Sequence, residues 1–535
     1  MRDDAYGCFM DPDPQKTPRT FRFLGGRRLR RALVCLGALV ALVAIIYAEE
    51  DWRGRRDWNH YREATEARGD SLDFDAYIPK PAPDDENFAA TPFLKSFVLQ
   101  PDQPILTSDL FSFVEGHIAQ TNLARDTGHR HFTDLVAWQI ASDALKAGKL
   151  DIGRHFGTDD TDPAARAAAA GTVLEGLKPD QAVFEELRAA SAREFSRYPL
   201  PYGSEGPVNP LPAHLARVQD VCKRLELEAC AELALGGSDE ALADVKLGLS
   251  LADSIKLEPF LISYRVRVAC LLNAIQPVWE GLAGHRWSDA QLQELQARFS
   301  SYDFLADIQL PLKGERAAEA RRIDYIEKSG VGIVDENFPY YHGAQSPFSR
   351  NVLNLIGRVM PSGWYYQEKL NYCTMFDAQS KGMVDRAAKQ VSPSKAQSNA
   401  NELARQIGGQ SDSPFKAILH HRFLAPMQLL FLGREGIDAA IPQTYANQAA
   451  LACALERYRL VTGQFPETLE LLTPQFLSRL PKDVIGGQPY KYRRTTDGQI
   501  VLYSVGWNEK DDGGVPGNTL FDETQGDWVW SYPAN

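Results

Sequence analysis

Two histidines separated by one residue, His129 and His131, are followed closely by Asp134 and further on by His155 with Asp159, Asp160 and Asp162. Two imidazoles and a carboxylate make a zinc or iron site when a fold brings them together. Such a site, built from His129, His131 and His155, would support metal-dependent hydrolysis. The spacing does not demand it, because histidines on a loop before a helix are commonly solvent-exposed. His420 and His421 are adjacent, and neighbours on a helix point in different directions. The chain has no Walker A loop, no dinucleotide-binding glycine fingerprint, no G-x-S-x-G elbow and no H-E-x-x-H helix. Glu315, Arg316, Glu319 and Arg322 read as ion pairs on or between helices.

The elements that would position these groups begin with a membrane segment. Residues 32–48 (ALVCLGALVALVAIIYA) form a 17-residue run without a charge, at the lower limit for spanning a bilayer as a helix. Residues 1–31 hold eight Lys or Arg against four Asp, with Arg27, Arg28, Arg30 and Arg31 packed against the apolar run. The positive-inside rule places this tail in the cytoplasm and the rest of the chain outside. A cleaved signal peptide is the competing reading. Tyr47-Ala48-Glu49 lacks the small residue that a peptidase site needs at its upstream position, and the tail is long for a signal. The expectation is an uncleaved single-pass anchor in a bacterial inner membrane, with a periplasmic ectodomain.

With 535 residues, 44% of them hydrophobic and 24% charged, the chain has the composition of an ordinary globular protein of several domains. Its net charge of −12 becomes more negative once the basic tail is set aside. An acidic ectodomain lacks the clustered basic face that nucleic acid requires. The seven cysteines form no close pairs, which argues for buried free thiols over a zinc ribbon or a disulfide framework.

Residues 49–68 read as a charged helix continuing from the membrane, with Trp52, Trp58 and Tyr61 at the interface. Four prolines between Pro79 and Pro92 then exclude a helix over IPKPAPDDENFAATPF. Phe74, Tyr77, Ile78, Phe88, Phe93 and Phe97 make that stretch an apolar strap across the body. Helical periodicity predicts helices over 132–148, 164–177 and 181–197, and a block of four from 212 to 302. Gly236-Gly237, an N-cap at Ser238, Pro259 and a capping box at 288–291 punctuate that block. Helices over 313–326 and 363–390 follow. Residues 391–414, rich in Ser, Gln and Asn, read as a mobile connection.

From about Ala440 the pattern changes. A helix to Thr462 is closed by Gly463, the segment ETLELLTPQFL reads as a short helix, and two strand-like runs, 490–494 and 499–505, flank the turn dipeptide Asp497-Gly498. Trp528-Val529-Trp530 offers a third strand. The order ALERYRLVTGQFPETLELL, LPKD, GGQPYKYR and LYSVGWNEKDDGG resembles the C-terminal globular domain of type II secretion pseudopilin G. That resemblance implies a calcium site at Leu502 (through its carbonyl), Ser504, Asn508, Asp511 and Asp512, and hard oxygen ligands on a tight Gly-rich turn suit calcium. Asn508 stands where an aspartate is usual. The prepilin peptidase site is missing, since Gly25-Gly26 is followed by Arg27-Arg28 and the apolar run has no glutamate. The layout as a whole resembles membrane-anchored envelope proteins of planctomycete- and verrucomicrobia-type bacteria, a likeness that brings no known activity.

The sequence therefore predicts a mainly α fold with an N-terminal transmembrane helix, a large helical-bundle ectodomain and a small α+β C-terminal module. The expected divisions are a tail at 1–31, the span at 32–48, a juxtamembrane helix and strap at 49–110, and a helical domain at 111–390. A flexible connection and helix at 391–438 and the module at 439–535 complete the chain. The expected role is an envelope scaffold or interaction protein linked to a secretion or pilus-like system, with envelope proteins as partners. A periplasmic ligand-binding helical receptor and a metal-dependent hydrolase are the alternatives.

Overall fold

The apolar run and the charged run after it are one helix. The computed structural model describes residues 26–100, 106, 128–148, 162–203, 213–329, 355, 359–408 and 433–533. In it α1 spans Gly26–Glu66. Its first half is long and apolar enough to cross a membrane and is wholly exposed. Its second half lies along α12 (Ser362–Ser380). The two helices run parallel. The Gly363 amide donates to Asp51 at 2.6 Å, Lys369 Nζ sits 4.8 Å over the Trp58 ring, and Tyr61 donates to Asp377 at 2.8 Å. Trp58 is therefore core, not a membrane-interface residue as its type suggested. Ten residues past Ala48, at about 1.5 Å each, it stands roughly 15 Å beyond the apolar run. Trp52 remains exposed.

The strap holds to the body through Phe74, Phe88 and Phe97, all buried. It also contains an unexpected helix, α2 (Pro92–Leu99). Pro92 is its first residue, where a missing N–H costs nothing. The predicted helix over 132–148 shortens to α3 (Leu135–Lys146), because Asp134 caps it by accepting from Ala137 N at 2.9 Å. Next come α4 (Pro163–Leu177) and α5 (Gln181–Ala190). The last stops seven residues before the predicted end because Phe195 turns back to bond the strap: Phe88 N reaches its carbonyl at 2.7 Å.

The central block consists of α6 (His214–Leu235), α7 (Ser238–Ser254), α8 (Leu261–Ala283) and α9 (Asp289–Ser300). The first three pack on one another. Gly236, at φ 89°, closes α6 in the left-handed conformation a side chain disfavours. Ser238 is already helical, so Gly237 takes the N-cap position expected of it. Ser288 and Gln291 form the full capping box of α9. A short α10 (Phe304–Asp307) leads into α11 (Gln309–Ser329).

α12 ends at Ser380, ten residues short of the predicted end. Gly382 (φ 70°) turns the chain there into a two-stranded hairpin, β1 (Val384–Asp385) and β2 (Gln390–Val391). The stretch expected to be a mobile connection is ordered through its first part. Val391 N bonds the Val484 carbonyl at 2.7 Å, and α13 (Pro393–Gly408) follows. Then α14 (Glu435–Thr462), closed by Gly463, precedes a three-stranded antiparallel sheet in the order β3 (Lys491–Arg494), β4 (Ile500–Ser504), β5 (Trp528–Ser531). The predicted helix over ETLELLTPQFL is a single 3-10 turn, Leu469–Leu472, stopped by Pro474.

One hydrophobic cluster takes in α8, α9, α14 and the sheet, with Trp279, Leu295, Leu451, Leu502, Trp528 and Trp530 all inside it. Trp279 Nε1 donates to the Ser531 carbonyl at 3.0 Å, and Gln448 Nε2 to the Trp528 carbonyl at 2.8 Å. Truncating a buried Trp of this kind costs roughly 3–5 kcal/mol. The C-terminal elements are thus stabilised by the helical body they pack against. Cys222, Cys230, Cys270, Cys373 and Cys453 are buried free thiols, as their spacing indicated, and Cys35 is exposed on α1.

Candidate functional site

A small cleft of about 180 Å³ opens where α4, α6 and the end of α8 meet the loop before α3. Arg166 and Glu280 form its polar floor as an ion pair at 3.0 Å, and Phe132, Leu233 and Ala234 form its apolar walls. The cap on α3 explains the position of the loop. With Asp134 fixed, the preceding residues lie over α8, where Thr133 N donates to Glu280 Oε1 at 2.7 Å. Gln276 Nε2 adds a second donor to that oxygen at 3.0 Å and also reaches the His131 carbonyl at 2.8 Å. Both oxygens of Glu280 are thereby satisfied.

Electrostatics define what this cleft can do. Burial pushes the Cys230 thiol well above its usual range, and Glu280 and Glu226 push it further. It is held neutral and is no thiolate nucleophile. Burial raises Glu226 to about 8, with Glu280 pushing in the same direction and Arg130 opposing it. The arrangement is a buried Arg166–Glu280 ion pair beside a second buried acid, Glu226. It pairs no nucleophile with a base, and its volume admits only a few heavy atoms.

His129 and His131 are both exposed on that loop, and His155 lies outside the described residues together with Asp159, Asp160 and the His420-His421 pair. The residue between the two histidines holds the loop in place. Arg130 stacks 4.9 Å from the Tyr445 ring and 5.8 Å from Trp530, and donates to Gln276 at 3.1 Å. It ties the loop to the C-terminal module. Among the described residues, no three His, Cys, Asp or Glu side chains gather as a metal site.

The residues of the C-terminal loop are engaged with one another. Ser504 Oγ turns inward and donates to Asp483 at 2.9 Å, while Leu502 sits mid-strand in the central β4. Asn508 Nδ2 donates to Asp512 at 3.0 Å. Asp511 accepts from Tyr503 at 3.1 Å and pairs with Lys491 at 3.2 Å. Asp512 also accepts from Gly526 N at 3.1 Å. N–H and O–H donors thus occupy carboxylate oxygens of both Asp511 and Asp512.

No known family model, curated protein or solved structure matches this chain.

A larger groove of about 520 Å³ lies between α4, α5, α6 and α7, lined by Glu175, Glu228, Glu232, Glu240, Lys178 and Arg188. Lys178 pairs with Glu175 at 3.3 Å, and Arg188 with the buried Asp244. Glu228 is buried and accepts from Gln181 at 2.8 Å through one oxygen, while its other oxygen and Asp244 Oδ2 find no donor. Burial raises both acids, and Glu228 raises Asp244 further. Burial and then Glu240 raise Glu232. The groove is thus short of cations. It is inconspicuous in the sequence because Glu228 and Glu232, one helical turn apart, look like an ordinary solvated face. The available signal was their position: Glu228 is flanked by Leu227, Ala229 and Cys230, all buried, and like charges at i and i+4 repel.

Proposed function

We propose that this protein is a single-pass membrane-anchored scaffold, holding a large helical body at a fixed attitude beside the membrane. The observation that carries the reading is the continuity of α1. An exposed apolar half passes without a break into a half packed on α12. A cleaved signal would be severed from a helix whose remainder belongs to the core. In this reading the basic tail is cytoplasmic and the body periplasmic, on the charge asymmetry around the span. The link to secretion or pilus-like machinery rests on the motif order between Ala454 and Gly514.

The first test is fractionation of the full-length tagged protein from native membranes. An intact N-terminus in the carbonate-resistant fraction supports the anchor, and a soluble product cut near Ala48 sinks it. The second is crosslinking, solubilisation and identification of what co-purifies. Enrichment of secretion or pilus components supports the link, and recovery of the protein alone removes it.

The acidic groove favours a second reading, a receptor for a ligand bearing several ammonium groups. Calorimetry with a linear polyamine is its test. Saturable heat that E232Q/E240Q abolishes supports it, and no heat in the parent protein excludes it.

A further inference from the structure

Leu355 and Val359 are helical, 62% and 55% exposed, and lie just before α12 on the membrane side of the body. Exposed apolar side chains are ordinary when scattered. These two are not scattered, because their position relative to α1 is fixed. The Tyr47 hydroxyl donates to the Val359 carbonyl. Four residues on, the Gly363 amide donates to Asp51. Arg55 then lies 5.7 Å from the Tyr366 ring, and Lys369 4.8 Å from Trp58. Each pair is separated by nearly the same number of residues, so from Val359 through α12 the chain runs parallel to α1 and level with it. Val359 therefore stands at the height of Tyr47, next to last in the apolar run. The same offset carried back four residues sets Leu355 level with Val43, inside that run.

On the reading that α1 spans a bilayer, residues at the height of Val43 and Tyr47 are in contact with lipid. We propose that Leu355, Val359 and the adjoining Met360 form a second, shallow apolar foot, seated among the acyl chains of the leaflet facing the folded body. The occupant is lipid because the span runs beside the patch: whatever covers Val43 at that depth also covers Leu355. Trp52, exposed and stacked with Arg56 at 4.8 Å, marks the headgroup level just above. The foot explains why α1 and α12 run parallel in close contact: two apolar segments entering the membrane together fix the tilt of the body, where one helix alone leaves it free to swing.

The test uses the full chain, with Cys8 and Cys35 replaced by serine, reconstituted in phosphatidylcholine vesicles. A polarity-sensitive fluorophore is attached in turn at L355C, V359C, V40C and K246C, the last on the exposed face of α7. Lipids carrying a nitroxide on the acyl chain serve as quencher. The expected result is emission from positions 355 and 359 quenched several-fold more than from 246 and approaching that at 40. Quenching at 355 and 359 no stronger than at 246, with 40 strongly quenched, overturns the foot and leaves the anchor standing. Blue-shifted but unquenched emission at 355 means that protein, such as a second copy, covers the patch, and this also overturns it. Absence of quenching at 40 overturns the anchor itself and the foot with it.

Discussion

Gly54 on α1 and Gly363 on α12 meet backbone to backbone: a Cβ on Gly54 would lie 2.3 Å from the Gly363 carbonyl oxygen, and one on Gly363 would lie 2.0 Å from that of Glu50. Neither neighbour is a flexible side chain that can move aside. This crossing is where the N-terminal helix α1 joins the folded body. We expect G363A and G54A to force the helices apart and cost roughly 1–3 kcal/mol or more, as overpacking does. The thermal unfolding midpoint of the full chain in detergent should fall for both. G37A, whose Cβ would meet nothing within 4 Å, is the control and should leave it unchanged.

The ion pair at the floor of the small cleft gives a second prediction. Glu280 is almost fully buried and Arg166 nearly so. Removing the cation alone leaves a buried carboxylate with only Thr133 and Gln276 to solvate it. R166M should therefore cost about 3–5 kcal/mol, and R166M/E280Q distinctly less, because the double change removes the uncompensated charge. Urea unfolding midpoints of the two variants decide it. Equal losses would mean that the pair contributes packing and not charge.

The acidic C-terminal loop provides a third. Asp527 is 2% exposed, and its carboxylate takes the amides of Gly514 at 2.6 Å and Asp512 at 3.2 Å. These bonds staple the loop to the start of β5. D527A should cost roughly 1–3 kcal/mol, the loss of two hydrogen bonds to a charged acceptor. It should also open the loop to limited proteolysis, and millimolar calcium should not restore protection. A calcium-dependent rise in the unfolding midpoint of the parent chain, absent in D512N, would show instead that this loop holds the ion.

These cases show what one sequence displays and what it hides. Gly236, Gly463 and the Ser288–Gln291 box were legible because each acts within one turn of its own helix. The mainly helical body and the apolar N-terminal helix were legible because periodicity and length are local too. Gly54 and Gly363 were not, since nothing near either glycine announces a partner more than 300 residues away. Glu315 is similar: an ion-pair residue by its spacing, it instead accepts the Leu261 amide at 3.0 Å and caps α8 from another helix. The segment after Val391 failed in the opposite direction, its Ser- and Gln-rich composition concealing a helix that the neighbouring Val391–Val484 pairing helps to place. Of the candidate site, the His-Arg-His loop is visible in the sequence, but the stacking of Arg130 on Tyr445 and Trp530 is not, because those rings lie over 300 residues away. The acidic groove was missed because its carboxylates converge only when four helices pack.

Glu435, in the first turn of α14, carries the pH dependence that is simplest to isolate. It is 1% exposed, and no hydrogen-bond donor reaches either oxygen in good geometry. Burial pushes its carboxyl from 4.5 up to about 8; Asp438 adds to this, and its own backbone amide and Arg265 oppose it. The folded chain therefore keeps a proton that the unfolded chain loses, from about pH 4.5 to about pH 8. Because the native state binds more protons across that window, stability is greatest at its acid end and declines as pH rises through it. Above pH 8 both states are ionised, and the full cost of a buried charge is present. Glutamine resembles the protonated acid at every pH. E435Q should match the parent near pH 4.5 and exceed it at pH 8 by an amount on the order of a few kcal/mol, since each tenfold difference in proton affinity is worth about 1.4 kcal/mol. Urea midpoints of both proteins at pH 5 and pH 8 provide the check. Parallel pH dependences would mean that Glu435 reaches water or a cation in solution, and that the start of α14 opens more readily than its packing suggests.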